Sequence, residues 1–267
     1  MYWDTHMHTN FSGDSDALPQ DMVQAAITRG LSGICLTDHE DLDYPYDDVN
    51  FDLDLAAYEQ AVRQLQGAYG RQIEILYGIE LGLQPHLADR HSAIVSSHAY
   101  DYVIGSSHLV HGKDPYYPSY YENRTEREAY EEYFRSILEN ISAWKGFDVY
   151  GHIDYVVRYG PNRDADYSYA AYRELIDPIL TALIDAGKGI EVNTAGWKYG
   201  LSQPNPCTDI LRRYRELGGE IITTGADAHK PEHIAYDFQR LPDLLKSCGF
   251  RYYTVFRQRR PFFLPLP

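Results

Sequence analysis

The stretch PQDMVQAAITRGLSGICLTDHED, residues 19–41, holds the unit from which the fold can be read. Residues 19–29 have the pattern of a helix and are followed at once by Gly30, as helix C-termini often are. Residues 33–37, GICLT, form a short β-type run, and His39 leaves its end. Working outward, the same unit recurs. Strands are expected at 2–6, 33–37, 73–80, 102–106, 149–152, 189–193 and 220–225. Helix-like stretches occupy 19–29, 55–69, 127–144, 172–186 and 209–217, with Gly70 and Gly218 closing two more of them. Strands alternating with helices argue for parallel α/β architecture. Seven such units suggest a closed or nearly closed (β/α) barrel, with a doubly wound sheet as the alternative. Residues 252–256 are strand-like too, as an edge or an eighth position. No linker, low-complexity stretch or repeat divides the chain, so one domain is expected over 1–267.

The bulk numbers narrow the function. A chain of 267 residues with 44% hydrophobic content can build a sizeable core. A formal charge of -15 argues against long nucleic acid as a partner, because phosphate backbones are bound by a surplus of Lys and Arg. No run approaches the roughly 18 apolar residues of a spanning helix, so no membrane partner is expected. The opening MYWDTHMHTNFSGDS mixes acids and histidines from the start and is no basic-then-apolar signal peptide. Cys35, Cys207 and Cys248 are an odd number without close pairing, which fits reduced thiols in a cytoplasmic protein, Cys35 inside a core strand. The 25 tyrosines stand out. A buried tyrosine needs a partner for its hydroxyl, so many are expected in loops and a partly wet cleft, with packing the competing account.

The chemistry collects at the strand ends. His6 and His8 leave the first strand, His39 the second, and Glu80 ends the third. His108 follows the fourth, His152 ends the fifth, and Asp227 with His229 follows the last. In a β/α barrel these C-terminal ends converge on one face, the usual home of active sites. Residues two apart on an extended chain project to the same side, so His6/His8 and Asp227/His229 can each place two donors in one cavity. A lone histidine at a strand end is more often a hydrogen-bonded structural residue. Histidines or acids at nearly every strand end would instead be costly polar groups crowded together without a ligand. Imidazole and carboxylate donors, without paired thiolates, suit Zn, Mn or Fe. With Asp14 from the loop after the first strand the candidates are too many for one ion and enough for three divalent ions.

The segments DTHMHTNFSGDS, LTDHED, GIELG, GSSHL, YGHIDYV, EVNTAG and TGADAHKP resemble, in order, the motifs of the polymerase and histidinol phosphatase (PHP) family, nearest its histidinol-phosphatase branch. They run from residue 4 to residue 231 and are specific as a set. The resemblance implies a distorted seven-stranded β/α barrel with its active site at the C-terminal strand ends. It implies one ion held by His6, His8, Glu80 and Asp227. A second would share Glu80 and take His108 and His152, and a third would lie on Asp14, His39 and His229. It further implies hydrolysis of a small phosphorylated substrate, L-histidinol phosphate foremost, in histidine biosynthesis. Arg158, in the loop after His152, stands where the resembling phosphatases carry a phosphate-binding arginine. Lys198 stands where they often carry another, a departure that loses the bidentate fork. For both, a solvated surface cation is the competing reading. No proton donor is identified, although Asp227 could double as ligand and acid.

The acidic run HEDLDYPYDDVNFDLD, from His39, is expected to face the metals, where it could attract an amine-bearing substrate, or else to be a solvated loop. Tyr116 or Tyr117 could stack on an imidazole, and His111 could reach the substrate. His86, His91, His98 and His233 are read as ordinary surface or supporting residues, and Glu191 and Asn193 as braces. The competing functions are a phosphoesterase for another small ester or short oligonucleotide, an amide- or ring-opening metal hydrolase, and a non-enzymatic binding domain. The last would show missing ligands, and all nine positions are filled.

Overall fold

The computed structural model describes residues 2–267. Its strands are β1 (Trp3–Asp4), β2 (Gly33–Leu36), β3 (His39–Glu40), β4 (Glu74–Gly82), β5 (Tyr102–Ser106), β6 (Val149–Tyr150), β7 (Gly189–Asn193), β8 (Ile222–Gly225), β9 (Tyr252–Arg257) and β10 (Arg260–Pro265). Its helices are α1 (Pro19–Thr28), α2 (Leu55–Tyr69), α3 (Ala88–Ser97), α4 (Glu126–Ala143), α5 (Tyr169–Asp185), α6 (Ala195–Lys198), α7 (Thr208–Glu216) and α8 (Leu241–Ser247). Three of the longest start on side-chain caps that satisfy otherwise orphaned N–H groups. Asp54 accepts from Ala57 N, Ser168 from Ala171 N, and Thr125 forms a reciprocal capping box with Glu128. Among the described residues no helix is long and apolar enough to cross a membrane.

Seven strands pair in the order β1-β2-β4-β5-β6-β7-β8, every pairing parallel. A short seam brings the first strand back to the last. Thr5 N donates to Thr224 O at 2.9 Å, Asp227 N to His6 O at 2.9 Å, and His8 N to Ala228 O at 2.9 Å. The sheet is therefore the expected seven-stranded barrel and not a doubly wound sheet. The strand expected at 33–37 breaks after Leu36 and resumes as β3, which sets His39 in register with Glu80 on β4.

Alternation along β4 shows how the barrel is filled. Ile75, Tyr77, Ile79 and Leu81 join the core between sheet and helices, whereas Leu76 joins a second cluster inside the barrel. That inner cluster also holds Trp3, Cys35, Tyr102, Ile104 and Val149, and it is closed by Tyr253, Val255 and Phe256 from β9. Strand β9 pairs antiparallel with β10 alone, so the piece expected at 252–256 is a plug on the N-terminal end and not an eighth barrel position. The hairpin turn is anchored where Arg259 N donates to Asp101 O at 2.9 Å and the Arg259 side chain pairs with Asp148. Each large apolar side chain buried in the plug contributes about 1.5–3 kcal/mol. The barrel is thus mostly apolar below, with the buried Tyr102–Thr223 hydroxyl pair among its polar groups, and its charged side chains gather near the C-terminal mouth.

Packing decides the fate of most tyrosines. Tyr58, Tyr102, Tyr120, Tyr130, Tyr133, Tyr150 and Tyr214 are fully buried. Their hydroxyls find partners, as in Tyr58 to Gly78 O at 3.0 Å and Tyr120 to Ala129 O at 2.8 Å. The three cysteines are buried and free.

Candidate metal centre

Strand geometry delivers the donors to the barrel mouth. His6 Nε2 lies 3.0 Å from Glu80 Oε2 and 3.1 Å from His8 Nε2. Asp227 Oδ1 is 3.4 Å from His8 Nε2 and 3.8 Å from His6 Nε2. The other oxygen of Glu80, Oε1, is 3.1 Å from His152 Nε2 and 3.4 Å from His108 Nε2. Asp14 Oδ2 is 2.9 Å from His229 Nε2 and 3.8 Å from His39 Nε2, and His39 Nδ1 reaches Glu80 Oε2 at 3.2 Å. All nine residues singled out from sequence thus form one connected cluster. The triads able to share an ion overlap, as in His6/His8/Glu80, Glu80/His108/His152 and His8/His39/His229. His8 is common to two of them, stacked between His39 at 4.1 Å and His229 at 4.2 Å.

The backbone makes room for this crowding. A Cβ at Gly225 would lie 2.2 Å from Glu191 Oε1 and 2.4 Å from His6 Cβ. One at Gly151 would lie 2.4 Å from Ser106 Oγ, the hydroxyl that donates to Glu80 Oε1 at 2.6 Å. Asp227 adopts φ 51°, a left-handed conformation that Asp tolerates better than most residues.

Does the donor set fit divalent ions? Supporting carboxylates occupy the far nitrogens of two rings. His6 Nδ1 faces Glu191 Oε1 at 2.6 Å, and His108 Nδ1 faces Asp41 Oδ2 at 2.6 Å. Ser12 donates to Asp38 at 2.8 Å and so accepts from His8 Nδ1 at 3.2 Å. Each Nε2 lone pair is then turned into the cavity, toward other lone pairs and carboxylate oxygens. Among the described residues His152 Nδ1 is buried without a hydrogen-bond partner. So many converging acceptors need positive charge among them. From the protein's own charges, burial opposes protonation of His6, but Glu191 and Glu80 outweigh it and hold its pKa well above the usual value. Burial together with His39 and His229 pushes His8 well below. Asp41 and Glu80 likewise raise His108, and Asp14 raises His229. Burial keeps His8 and His152 low, so their lone pairs still face the cluster, and nitrogen and oxygen donors in overlapping triads fit Zn, Mn or Fe.

The cluster opens into a cavity of about 300 Å³. Arg158, Lys198, Tyr199 and Lys230 line it together with the donors Asp14, His39, His108, His152, Asp227 and His229, as do Asp41, Phe51, Asp114 and Tyr155. Arg158 is not a solvated surface cation, being 3% exposed and bonded to Asp227 Oδ2 at 2.8 Å. Lys198 Nζ donates to Asp227 O at 2.8 Å, and burial lowers its pKa. Asp227 is held well below the usual carboxylate range, because Arg158 and His6 outweigh the cost of its burial. A carboxylate so held is a counter-charge to Arg158 and could serve as a ligand, and it is a poor reservoir of protons.

Several side chains of the site were not singled out from the sequence. Asp41 lies within LTDHED, two residues beyond His39, and the spacing argument that paired His6 with His8 would have found it. Asp38, Ser12, Asn205 and Asp114 carry no such signal, since only tertiary contacts make them part of the site. Glu191 and Asn193 are braces as expected, with Asn193 Nδ2 donating to Glu191 Oε2 at 3.0 Å. Other expectations fail. His111 is exposed and pairs with Glu132 and Glu139 at the surface. Tyr116 and Tyr117 do not line the cavity, whereas His233 does. His91, by contrast, is 1% exposed, which fits the supporting half of its surface-or-supporting reading. The acidic run divides, with Asp41 reaching the cavity and Asp43 pairing outside with His86 and Arg90.

The chain is similar to known proteins over almost its whole length. The model of the PHP domain matches residues 4–195. A histidinol-phosphatase of Lactococcus lactis is 32% identical over 254 residues, 95% of this chain and 93% of the relative. A probable histidinol-phosphatase of Clostridium acetobutylicum is 31% identical, covering 97% of this chain and 98% of its own. Among solved structures, the histidinol phosphate phosphatase of Lactococcus lactis in complex with zinc, L-histidinol and phosphate superimposes with a TM-score of 0.90 at 31% identity, covering 98% of both chains. A putative histidinol phosphatase from Listeria monocytogenes shares the fold, with a TM-score of 0.79 at 18% identity.

Proposed function

This chain belongs to the PHP domain family, and from that premise we propose that it is a metal-dependent phosphomonoesterase that hydrolyses L-histidinol phosphate to L-histidinol and phosphate. The observation that carries the reading is the arrangement around one cavity. Two of the overlapping His/carboxylate triads share the buried Glu80, and six of the nine donors line the cavity together with Arg158, Lys198, Asp41 and Asp114. The solved Lactococcus relative, similar over almost the whole chain, holds zinc, L-histidinol and phosphate.

The residues divide the work. His6, His8, Glu80 and Asp227 would hold one ion, and His108 and His152 a second with Glu80 between them. Asp14, His39 and His229 would hold a third. Divalent ions bound there supply acidified water and positive charge against the slow hydrolysis of a phosphate dianion. Arg158 and Lys198 are assigned to the phosphate oxygens, and both already lie on Asp227. Asp41 and Asp114 put negative charge on the same cavity, which suits the cationic amine of the substrate. Phe51 and Tyr155 offer apolar surface to its imidazole. A cavity of about 300 Å³ suits a small ester and is short for an oligonucleotide.

The deciding experiment is phosphate release by zinc- or manganese-loaded protein from histidinol phosphate, sugar phosphates, nucleotides and a short oligonucleotide. The reading expects a preference for histidinol phosphate of roughly a hundredfold in kcat/KM, equivalent to about 2.7 kcal/mol, that is abolished by His8→Ala. A preference for another ester would retain the phosphoesterase and remove the histidinol assignment.

A further inference from the structure

Every nitrogen of Arg158 has a protein partner. Nε donates to Asn205 Oδ1 at 2.8 Å, Nη1 to Asp227 Oδ2 at 2.8 Å and Nη2 to Asn193 Oδ1 at 3.0 Å. The rings of Tyr155 and Tyr199 lie 5.4 and 5.2 Å from the guanidinium carbon. Each terminal nitrogen keeps one further N–H. Those two can meet an anion in the cavity only if the plane of the guanidinium is held at one angle, because a planar fork is directional where an ammonium is not.

The part of this frame that faces away from the metal ligands is Asn205. An amide side chain turns its oxygen or its nitrogen toward a neighbour according to what surrounds it. Here Asp154, which can only accept when ionised, takes Asn205 Nδ2 at 2.6 Å and thereby commits Oδ1 to Arg158. Asp154 is itself fixed, 1% exposed and accepting from Cys207 N at 2.9 Å. The backbone of Asn205 exchanges two hydrogen bonds with that of Asn193, at 2.7 and 2.9 Å, so the two amides gripping Arg158 are tied to each other. Asp154 does not line the cavity and belongs to none of the donor triads. Besides holding Cys207 N, this buried carboxylate reaches the cavity only through the amide it orients.

We infer that Asp154, acting through Asn205, is a positioning residue for phosphate binding. It fixes the orientation of the Arg158 fork toward the phosphate of the substrate. The inference rests on the reading above that Arg158 meets that phosphate.

The test compares Asp154→Asn, Arg158→Met and the double variant in zinc-loaded enzyme, measuring inhibition by inorganic phosphate and by L-histidinol, KM, kcat and bound zinc. Asp154→Asn is expected to weaken phosphate inhibition by roughly ten- to a hundredfold, the range for a lost bond to a charged group. L-histidinol inhibition and zinc content stay as in the wild type. In the Arg158→Met background the same change adds nothing further, because its route is already cut. Equal weakening toward both products, loss of zinc, or full additivity with Arg158→Met would overturn the inference in favour of a general structural role. Should Asp154→Asn fail to fold, Asn205→Ser removes the same link while Asp154 keeps Cys207 N, and the same pattern is required of it. A wild-type enzyme that does not bind inorganic phosphate would overturn the underlying reading as well, so the two failures are distinguishable.

Discussion

Glu191→Gln is the perturbation that most directly tests how the donor cluster is supported. Glu191 is fully buried and uses both oxygens. Oε1 faces His6 Nδ1 at 2.6 Å, while Oε2 accepts from His152 N at 3.2 Å and from Asn193 Nδ2 at 3.0 Å. An amide offers one accepting oxygen where the carboxylate offers two. If that oxygen stays on His6, the new NH2 group confronts two donors, and if it turns away, His6 loses its partner. At least one buried donor is left unpaired, which costs about 1–3 kcal/mol of stability. The His6 ring also loses the charge that orients it and raises its basicity, so affinity for the ion nearest His6 should fall about ten- to a hundredfold. The assay is metal content by mass spectrometry after dialysis against graded chelator, with thermal unfolding alongside. Sites nearest His6 should empty first, while that of Asp14, His39 and His229, which Glu191 does not touch, should keep its wild-type affinity. Uniform loss from all sites, or no loss at all, would refute the assignment of Glu191 as the specific support of His6.

Three further outcomes are expected. Removing the ions with chelator should abolish phosphate release and lower the unfolding temperature, since a ligand at a thousand times its Kd stabilises by about 4 kcal/mol; zinc or manganese should restore both. Gly225→Ala should destabilise by about 1–3 kcal/mol and impair zinc binding, because the new methyl would overlap Glu191 and His6, and a variant with wild-type zinc content would refute that crowding. His91 is held neutral by burial, its pKa pushed down to about 4. The unfolded chain then binds the extra proton, so stability should fall as pH drops from about 6.5 toward about 4, by up to about 3 kcal/mol. His91→Phe should flatten that stretch of the stability–pH curve measured in denaturant, and an unchanged slope would remove His91 as its source.

How the site was legible follows from where its signals lie in the chain. Eight of the nine donors stand at or just past a strand end, so local pattern alone places them on one rim of a barrel, whereas Asp14 lies in the loop after the first strand. His6 with His8 and Asp227 with His229 are readable as pairs because strand alternation is local. The parallel barrel is equally local, since it follows from helix-like and strand-like runs taking turns. Asp41 was within reach of the same reasoning.

What the chain could not disclose by itself is long-range. Asn205 meets Arg158 across 47 residues and Asp154 across 51, and no periodicity encodes those contacts. His91 reads as polar, but packing of α3 buries it. Residues 252–256 read as a strand, yet whether that strand joins the barrel or plugs it depends on β10 pairing with its edge. Residue type and spacing determined the fold class and marked the candidate metal donors, because both repeat along the β/α units. Tertiary structure alone decided which carboxylate supports which ring and how the arginine is aimed, because hydrogen-bond partners are chosen by distance in space and not along the chain.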